Sequence, residues 1–365
     1  MTIQGKQYTK LFGESRTRGS NHWRRRHRMA DKPPVFIIGS PRSGTTFLRN
    51  VLNRHPSLAM CGETRFFADV YKRRWLFGNL ANPKNRRRLV EQYLSASRAR
   101  RLGVDVEGLK EKLLREATSY PAMLTGIMEY HAESQGKKRF GEKTPQHAFC
   151  AETLCQWYPG AAIIHMVRDP RDVVASLERM TWAPNSVVSN ASMWLLFDRA
   201  ARRLQNYAGY LLVRYETLVT QPEQELARIC AHVGEEYDPS MLAPAEPVAG
   251  PYSWPRRAAG PLTRERMEKW REELTAEEVA LVEWIDGRDM EMYGYRRDTG
   301  SISLATIGRG LAIAALDSVR RQATGFPYWW YSLTQPTKLS AQEYWKYRRS
   351  WEMVFPGLPP SKRKD

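Results

Sequence analysis

The segment from Val35 to Asn53 constrains the fold of this chain more than any other stretch. Its first four residues, Val-Phe-Ile-Ile, form an apolar run typical of a buried strand, and residues 46–53 have the composition of a helix. The turn between them contains Gly39 and Gly44. A strand, a glycine-bearing turn and a helix N-terminus together present backbone N–H groups to an anion. The segment therefore predicts a site for a phosphate-like group.

This turn departs from the loop of nucleoside-triphosphate-binding proteins at one position. That loop reads G-x-x-x-x-G-K-[ST]; here Gly39, Gly44 and Thr46 fit, but Thr45 stands where the lysine belongs. A kinase or ATPase uses that lysine on the β- and γ-phosphates, beside a magnesium ion. The cation of this loop is instead Arg42, whose guanidinium can neutralise a transferring group without a metal. A P-loop kinase or NTPase is therefore kept only as an alternative.

The charge of the chain indicates an anionic partner. Lysine and arginine number 57 and aspartate and glutamate 39 in 365 residues, which gives a formal net charge of +18. Nucleotides, sulfated or phosphorylated substrates, nucleic acids and acidic membranes all suit such a surface. A basic nucleic-acid-binding protein is a further alternative. No helix-turn-helix, zinc or aromatic RNP pattern supports it, so no specific nucleic acid is expected as a partner.

No targeting or membrane-spanning segment is evident in the sequence. No apolar h-region follows the N-terminal charges, and the longest apolar candidate, residues 304–316, is interrupted by Arg309. The cysteines lack C-x-x-C spacing, and they are Cys61, Cys150, Cys155 and Cys230. We therefore expect reduced thiols, no required metal and a cytoplasmic protein.

Apolar runs alternate with stretches of helical composition along the rest of the chain. Two further runs, residues 161–167 and 209–215, are predicted to be strands. The predicted helices around them span residues 170–179, 189–206 and 222–233. Apolar strands separated by helices predict an α/β fold in which a parallel sheet is covered by helices on both faces.

The predicted organisation has three parts. Residues 1–32 are a flexible basic arm, residues 33–299 the α/β domain, and residues 300–365 a helical and aromatic C-terminal extension. Within the domain, residues 66–138 are predicted to be an insertion of two to four helices over the active edge of the sheet. The aromatic extension would pack on the body or on a second subunit of a homodimer. Alternatively it would contact a membrane surface, where Trp and Tyr are favoured.

A second candidate anion site follows the second predicted strand, in Arg168-Asp-Pro-Arg-Asp-Val-Val-Ala-Ser176. Asp169 is placed to cap a helix that starts at Pro170. Arg168 would then stand at the carboxyl end of a strand, where open α/β sheets bind ligands. With Ser176 it could hold a second phosphate; the alternative is an ion pair between Arg168 and Asp172.

Four segments in order resemble the sulfotransferases that use 3′-phosphoadenosine 5′-phosphosulfate (PAPS) and release adenosine 3′,5′-bisphosphate (PAP). The resemblance implies a P-loop-NTPase-like three-layer α/β/α fold, with residues 33–299 as the sulfotransferase domain. It assigns the 5′-phosphosulfate to the first loop, Pro41, Arg42, Ser43, Gly44, Thr45 and Thr46. It assigns the 3′-phosphate to Arg168 and Ser176, and the adenine to Tyr215. The fourth segment, residues 260–274, is similar to the family's closing loop and W-R-x-x-L segment.

Around the first motif the chain resembles the tyrosylprotein sulfotransferases, through His55-Pro56 and Cys61-Gly-Glu-Thr-Arg65. This resemblance implies Glu63 as the catalytic base, with Arg65 orienting the acceptor or the glutamate. The later Glu-Lys-Thr-Pro segment is similar to one in bacterial and carbohydrate sulfotransferases. It implies that Lys143 stabilises the leaving phosphate, and His147 is a reserve base.

The expected reaction is therefore in-line transfer of a sulfuryl group from PAPS to an acceptor hydroxyl. The segment around Lys143 and the expected location favour a carbohydrate, a glycolipid or a small metabolite as the acceptor. The residues around Glu63 favour the alternative, a tyrosine in a peptide. The insertion at residues 66–138 is expected to lie near the acceptor site and to influence this choice.

Overall fold

A five-stranded parallel sheet with the strand order β2-β3-β1-β4-β5 is the centre of the fold. The computed structural model describes residues 32–95, 102–180, 182–243 and 264–334. The strands are β1 (Val35–Gly39), β2 (Leu58–Cys61), β3 (Arg139–Lys143), β4 (Ala162–Val167) and β5 (Tyr210–Arg214). The predicted parallel α/β fold is confirmed. The sequence reading found β1, β4 and β5 but missed β2 and β3.

Alternate residues of β1 show how the sheet is covered on both faces. Phe36 and Ile38 join the apolar cluster that includes the helices after β2, whereas Val35 and Ile37 join the cluster on the other face. All four side chains are fully buried. Since successive side chains of a strand point to opposite faces, the sheet lies between two helical layers, and the predicted three-layer arrangement is confirmed.

The helices of the α/β core are α1 (Thr45–Leu52), α7 (Ala151–Trp157), α8 (Pro170–Glu178), α9 (Val187–Arg202), α10 (Tyr215–Thr220) and α11 (Pro222–Val233). Of these, α1, α8, α9 and α11 start close to their predicted positions, whereas α7 and α10 were not predicted. At the start of α8 the predicted cap is present, because the Asp169 side chain accepts a hydrogen bond from the backbone N–H of Arg171 at 2.9 Å. Pro170 is the first residue of that helix, where its missing N–H has no consequence.

The insertion after β2 is helical, as expected, but its described part contains five α-helices where two to four were predicted. They are α2 (Phe66–Asp69), α3 (Arg74–Phe77), α4 (Pro83–Ser95), α5 (Val106–Glu116) and α6 (Tyr120–Ser134). The longest of them, α6, packs directly against β2 and β3 and buries Met123, Ile127 and Met128 there. Much of the insertion is therefore a layer of the core.

Among the described residues after 243, the α-helices are α12 (Trp270–Glu273), α13 (Ala276–Glu291) and α14 (Leu304–Thr334). A capping box of Thr275 and Glu278 starts α13, and Ser303 caps α14 by accepting the N–H of Thr306 at 3.0 Å.

The predicted arm at residues 1–32 lies outside the described residues except for Lys32, which pairs with Glu235. Within the described chain, no helix is both long and apolar enough to cross a bilayer.

One buried carboxyl group of α13 makes the stability of the fold depend on pH. Asp286 is fully buried, and neither of its carboxyl oxygens has a hydrogen-bond partner among the described residues. Burial, together with the neighbouring Asp289 and Asp198, raises the pKa of Asp286 to about 9. The group is therefore protonated in the folded protein at pH 7.

We expect Asp286→Asn to stabilise the protein at pH 8 relative to the parent, and to do so less at pH 5. Between the ordinary aspartate pKa and about 9, the unfolded chain is ionised at Asp286 while the folded chain holds the proton. Stability contributed by this proton is lost as the pH rises, by at most about 1.4 kcal/mol per pH unit. Urea unfolding at both pH values measures the effect. An identical pH dependence in the two proteins would contradict it.

Candidate active site

Each strand of the sheet brings one of the residues predicted for the site to the same edge. Because the strands are parallel, their carboxyl ends share that edge, where α/β sheets bind ligands. Within three residues of the ends of β1 to β5 stand, in order, Arg42, Glu63, Lys143, Arg168 and Tyr215. The unpredicted strands β2 and β3 are the ones that place Glu63 and Lys143 beside the rest.

The loop between β1 and α1 has the geometry of an anion cradle. Gly39 has φ +139°, and a Cβ there would lie 2.3 Å from the backbone oxygen of Met166, so only glycine fits. Arg42 adopts a left-handed φ of 72°, which is uncommon for a residue with a side chain. The buried hydroxyl of Ser43 has no hydrogen-bond partner among the described residues. The first N–H groups of α1 also lack partners within the helix. The Ser43 hydroxyl and these N–H groups can therefore donate hydrogen bonds to a bound anion.

Arg42 lies among other arginines. Its Nε donates a hydrogen bond to the Oγ of Ser176 at 2.9 Å, which joins the two predicted anion-binding segments. Burial, together with the charges of Arg168, Arg179 and Arg266, lowers the pKa of Arg42. Several cations at one point favour binding of an anion there. The sequence analysis assigned no role to Arg179 or to Arg266, although Arg266 lies within the fourth motif.

Arg168 and Tyr215 form one packed unit with the loop. The Arg168 guanidinium lies over the Tyr215 ring, 4.5 Å from its centroid, and its Nη2 lies 3.2 Å from the Oδ2 of Asp172. The Tyr215 ring packs so closely on Gly44 that a Cβ at that glycine would lie 2.6 Å from Cδ2. The ion pair considered as an alternative for Arg168 is thus present, but it is buried. Arg168 and the first loop are in contact, since its Nη1 also donates to the backbone oxygen of Arg42 at 3.4 Å.

The described part of the fourth motif lies against α8. The carboxylate of Asp172 accepts backbone N–H groups from Glu268 at 3.0 Å and from Trp270 at 3.1 Å. The Trp270 ring lies between the guanidinium groups of Arg171 and Arg271, at 4.1 and 4.2 Å from its centroid. Residues 260–263 of this motif lie outside the described residues. The contacts of Asp172 tie residues 268–270 to the segment that contains Arg168.

Glu63 and Lys143, which come from separate motifs, form an ion pair. The Nζ of Lys143 lies 2.5 Å from the Oε1 of Glu63. The lysine side chain is 4% exposed and the glutamate side chain 30% exposed, so only the glutamate is open to an incoming acceptor. Burial lowers the pKa of Lys143, although the negative charge of Glu63 opposes this effect. The structure therefore places the candidate base and a candidate acid or cation side by side.

Glu142 fixes this pair from the interior, a role that the sequence reading missed. It is fully buried, and its Oε1 accepts the backbone N–H of Thr64 at 2.9 Å and its hydroxyl at 2.7 Å. The Thr144 hydroxyl also donates to it. Although burial would raise the pKa of Glu142, His147 and the two threonine hydroxyls lower it. Because neighbours in a strand point in opposite directions, Glu142 holds the Glu63 loop while Lys143 faces the site.

The two remaining predicted catalytic residues have other partners. His147 is 1% exposed, its Nδ1 lies 2.8 Å from the Oε2 of Glu142, and its ring lies edge-on to Phe67 at 5.0 Å. The Nε of Arg65 lies 3.5 Å from the Oδ2 of Asp69, and the backbone of Arg65 has a left-handed φ of 49°. These contacts favour Glu63 over His147 as the base and give His147 a supporting position.

Arg49 is a further cation near Glu63 that the motifs did not reveal. It lies in the last turn of α1, and its Nε has no hydrogen-bond partner among the described residues. Burial lowers the pKa of Arg49, against the opposing effects of Cys61 and Glu63. Its position one turn beyond Thr45 was a usable signal, because residues four apart share a helix face.

The cysteines, all within the described chain, are unpaired: Cys61, Cys150, Cys155 and Cys230. Burial raises the pKa of Cys61 and that of Cys230, so neither thiol is readily ionised.

Comparison with known proteins identifies the class of protein that this fold and site define. A profile of the sulfotransferase family matches residues 33–239, more than half of the chain. The chain belongs to the sulfotransferase family, and the enzyme class implied by its motifs is confirmed.

The individual relatives are distant. A Caenorhabditis briggsae protein named as a candidate protein-tyrosine sulfotransferase is 27% identical over 216 residues, which cover 57% of this chain and 68% of that protein. Nodulation protein NoeE of Sinorhizobium fredii is 26% identical over 332 residues, covering 81% of this chain and 73% of that protein. The sulfotransferase domain from the curacin biosynthetic pathway matches with a TM-score of 0.50 and 19% identity, over 71% of this chain and 98% of that domain. This last likeness shows a shared fold.

Proposed function

We propose that this sulfotransferase moves the sulfuryl group of PAPS to an acceptor hydroxyl, with Glu63 as the base. The observation that carries the proposal is the pairing of Glu63 with Lys143 beside an arginine-bearing anion cradle. PAPS has phosphate groups at its 5′ and 3′ positions. The first loop, from Pro41 to Thr46, suits the 5′-phosphosulfate, and Arg168 with Ser176 suits the 3′-phosphate. Tyr215, whose ring packs against Arg168, would contact the adenine.

In the proposed reaction the acceptor oxygen forms a bond to sulfur while the bond from sulfur to the 5′-phosphate oxygen breaks. Glu63 takes the acceptor proton. Negative charge grows on the departing phosphate, where Arg42, Lys143 and the N–H groups of α1 can stabilise it. Arg65 and His147 would act by holding the loop of Glu63 and the carboxylate of Glu142.

The class of acceptor follows less directly from the site. The carbohydrate or lipid-linked hydroxyl favoured by the sequence has no support from the names of the relatives, whereas several relatives carry the name of a protein-tyrosine sulfotransferase. The segment Cys61 to Arg65 agrees with that name. We therefore propose a tyrosyl hydroxyl as the first acceptor to test, and a carbohydrate, glycolipid or small metabolite as the second.

The decisive experiment is transfer of labelled sulfate from PAPS to a panel of tyrosine peptides, simple phenols, sugars and glycolipids. Label in a tyrosine peptide, lost on Tyr→Phe replacement in the peptide, is the expected result. Label in a sugar or glycolipid alone would restore the sequence-based expectation. Calorimetry with PAP tests the donor separately, and the absence of any heat of binding would overturn the whole proposal.

Arg168→Ala is expected to raise the Kd for PAP by at least about tenfold and to change kcat at saturating PAPS by much less. The reason is that Arg168 would contact the distant 3′-phosphate, whose charge is the same in the ground and transition states. Calorimetry and initial rates measure the two effects. Arg87→Ala, a change of an exposed arginine on α4, is the matched control. An unchanged Kd in a variant that melts like the parent would refute the 3′-phosphate assignment.

A further inference from the structure

The C-terminal helix α14 carries an apolar face that points away from the protein body. Its described large apolar side chains are 48–85% exposed, and they are Leu304, Leu311, Ile313, Leu316 and Val319. Such exposure is high for a helix that begins packed on a folded domain. Scattered apolar residues on a surface need no explanation, but a continuous apolar face on one helix does.

The contacts of α14 with the body show which side of the helix is free. Gly310 is buried, and a Cβ there would lie 3.0 Å from Leu281 and Val188, so it allows α14 to lie close to α13 and α9. Thr306 is buried, and Ala314 packs on the same neighbours. At 100° per residue these three positions fall within one narrow stripe of the helix. The opposite stripe contains Leu304, Ala305, Gly308, Leu311, Ala312, Ala315, Leu316, Val319 and Gln322, whereas Ile313 lies nearer the body.

The charges on α14 border this apolar stripe and do not interrupt it. Arg309 and Arg320 lie along one edge, and Arg309 reaches Glu277 at 2.8 Å. Asp317 lies on the side of the body and pairs with Arg321 at 3.0 Å. A helix with apolar residues on its free face and arginines at its edge is typical of one that lies in the interface of a bilayer.

The sequence beyond the described side chains continues this character. The helix runs to Thr334, and residues 326–331 within it read Phe-Pro-Tyr-Trp-Trp-Tyr. Tryptophan and tyrosine are enriched at the boundary between lipid and water. The chain ends in Ser361-Lys-Arg-Lys-Asp365, and its formal net charge is +18, which complements an anionic lipid surface.

We propose that the outer face of α14 binds the surface of an anionic lipid bilayer, lying in the interface without crossing it. The apolar stripe enters the boundary between headgroups and acyl chains, while Arg309 and Arg320 meet the lipid phosphates. This proposal concerns where the enzyme is held and does not depend on the acceptor or on the role of any residue of the active site.

Flotation of the full-length protein with lipid vesicles tests the proposal. Vesicles of phosphatidylcholine with phosphatidylglycerol should carry the protein, and vesicles of phosphatidylcholine alone should carry much less. Leu316→Glu combined with Val319→Glu should lower binding at least about tenfold, because the variant loses apolar burial and adds charges that the lipid repels. Both side chains are exposed, so the fold and the Kd for PAP should not change.

The matched control is Leu196→Glu, because this leucine is 60% exposed but belongs to α9 and not to α14. It should bind vesicles like the parent. Equal loss of binding in this control, or failure of the parent to float with anionic vesicles, would overturn the proposal. Sedimentation of the same variants tests the other occupant of the stripe. A dimer that becomes a monomer on the double substitution, with no flotation of the parent, would show that a second copy of this chain covers it.

Discussion

Glu63→Gln is expected to lower kcat by at least about 100-fold while changing the Kd for PAP by less than about threefold. General-base catalysis contributes ~10²–10⁴ to the rate, and glutamine cannot accept the acceptor proton. Glutamine nevertheless keeps the size of the side chain and an oxygen that can accept the hydrogen bond from Lys143 at this position. The effect should therefore fall on turnover. Initial rates at saturating PAPS, with calorimetry for PAP, separate the two quantities.

Glu91→Gln is the matched control for this variant, because Glu91 lies exposed on α4. It should retain the turnover of the parent. If Glu63→Gln also retained it, Glu63 would not be the base. In that case His147→Asn would become the next variant to assay, although the burial of His147 against Glu142 argues against that role.

Arg42→Ala should lower kcat by ~10²–10³, the usual cost of removing one preorganised donor from a developing negative charge. The side chain of Arg42 is held toward the cradle by its hydrogen bond to Ser176. The kcat of Arg42→Lys should lie between those of the parent and of Arg42→Ala, since a lysine keeps the charge but not the fixed, planar donor set. Rates with saturating PAPS measure both changes, and Arg87→Ala again serves as the control. If Arg42→Ala kept a turnover close to that of the parent, Arg42 would not stabilise the departing phosphate.

The three predicted strands were visible in the sequence because their side chains are apolar. β1 and β4 are fully buried runs of this kind, and a covered parallel strand leaves that pattern. β2, Leu-Ala-Met-Cys, is only four residues long and lacks β-branched residues. Composition alone therefore cannot distinguish this strand from a loop.

β3 was missed for a different reason. Arg139, Glu142 and Lys143 give it the composition of a surface segment, yet every residue of the strand is buried. Each charge has a partner inside the fold. Arg139 reaches Glu235 at 2.9 Å, Glu142 accepts the threonine donors, and Lys143 pairs with Glu63. Buried charges need partners, and these partners come from distant parts of the chain that a local pattern does not contain.

For the site, the motifs identified residues that bear charge or hydroxyls next to glycine turns. They did not reveal the residues that act through position alone. Arg179 and Arg266 approach Arg42 only because α8 and the segment before α12 fold against the loop. Glu142 was part of a recognised segment, but its buried direction depends on β3, the strand that was missed.

The last two residues of β3 have a practical consequence for redesign of this enzyme. Glu142 holds Thr64 from the interior and Lys143 pairs with Glu63 at the proposed site, although the two residues are consecutive in the chain. A change of either one disturbs the other through the shared backbone. Efforts to alter acceptor choice should therefore leave this dipeptide intact.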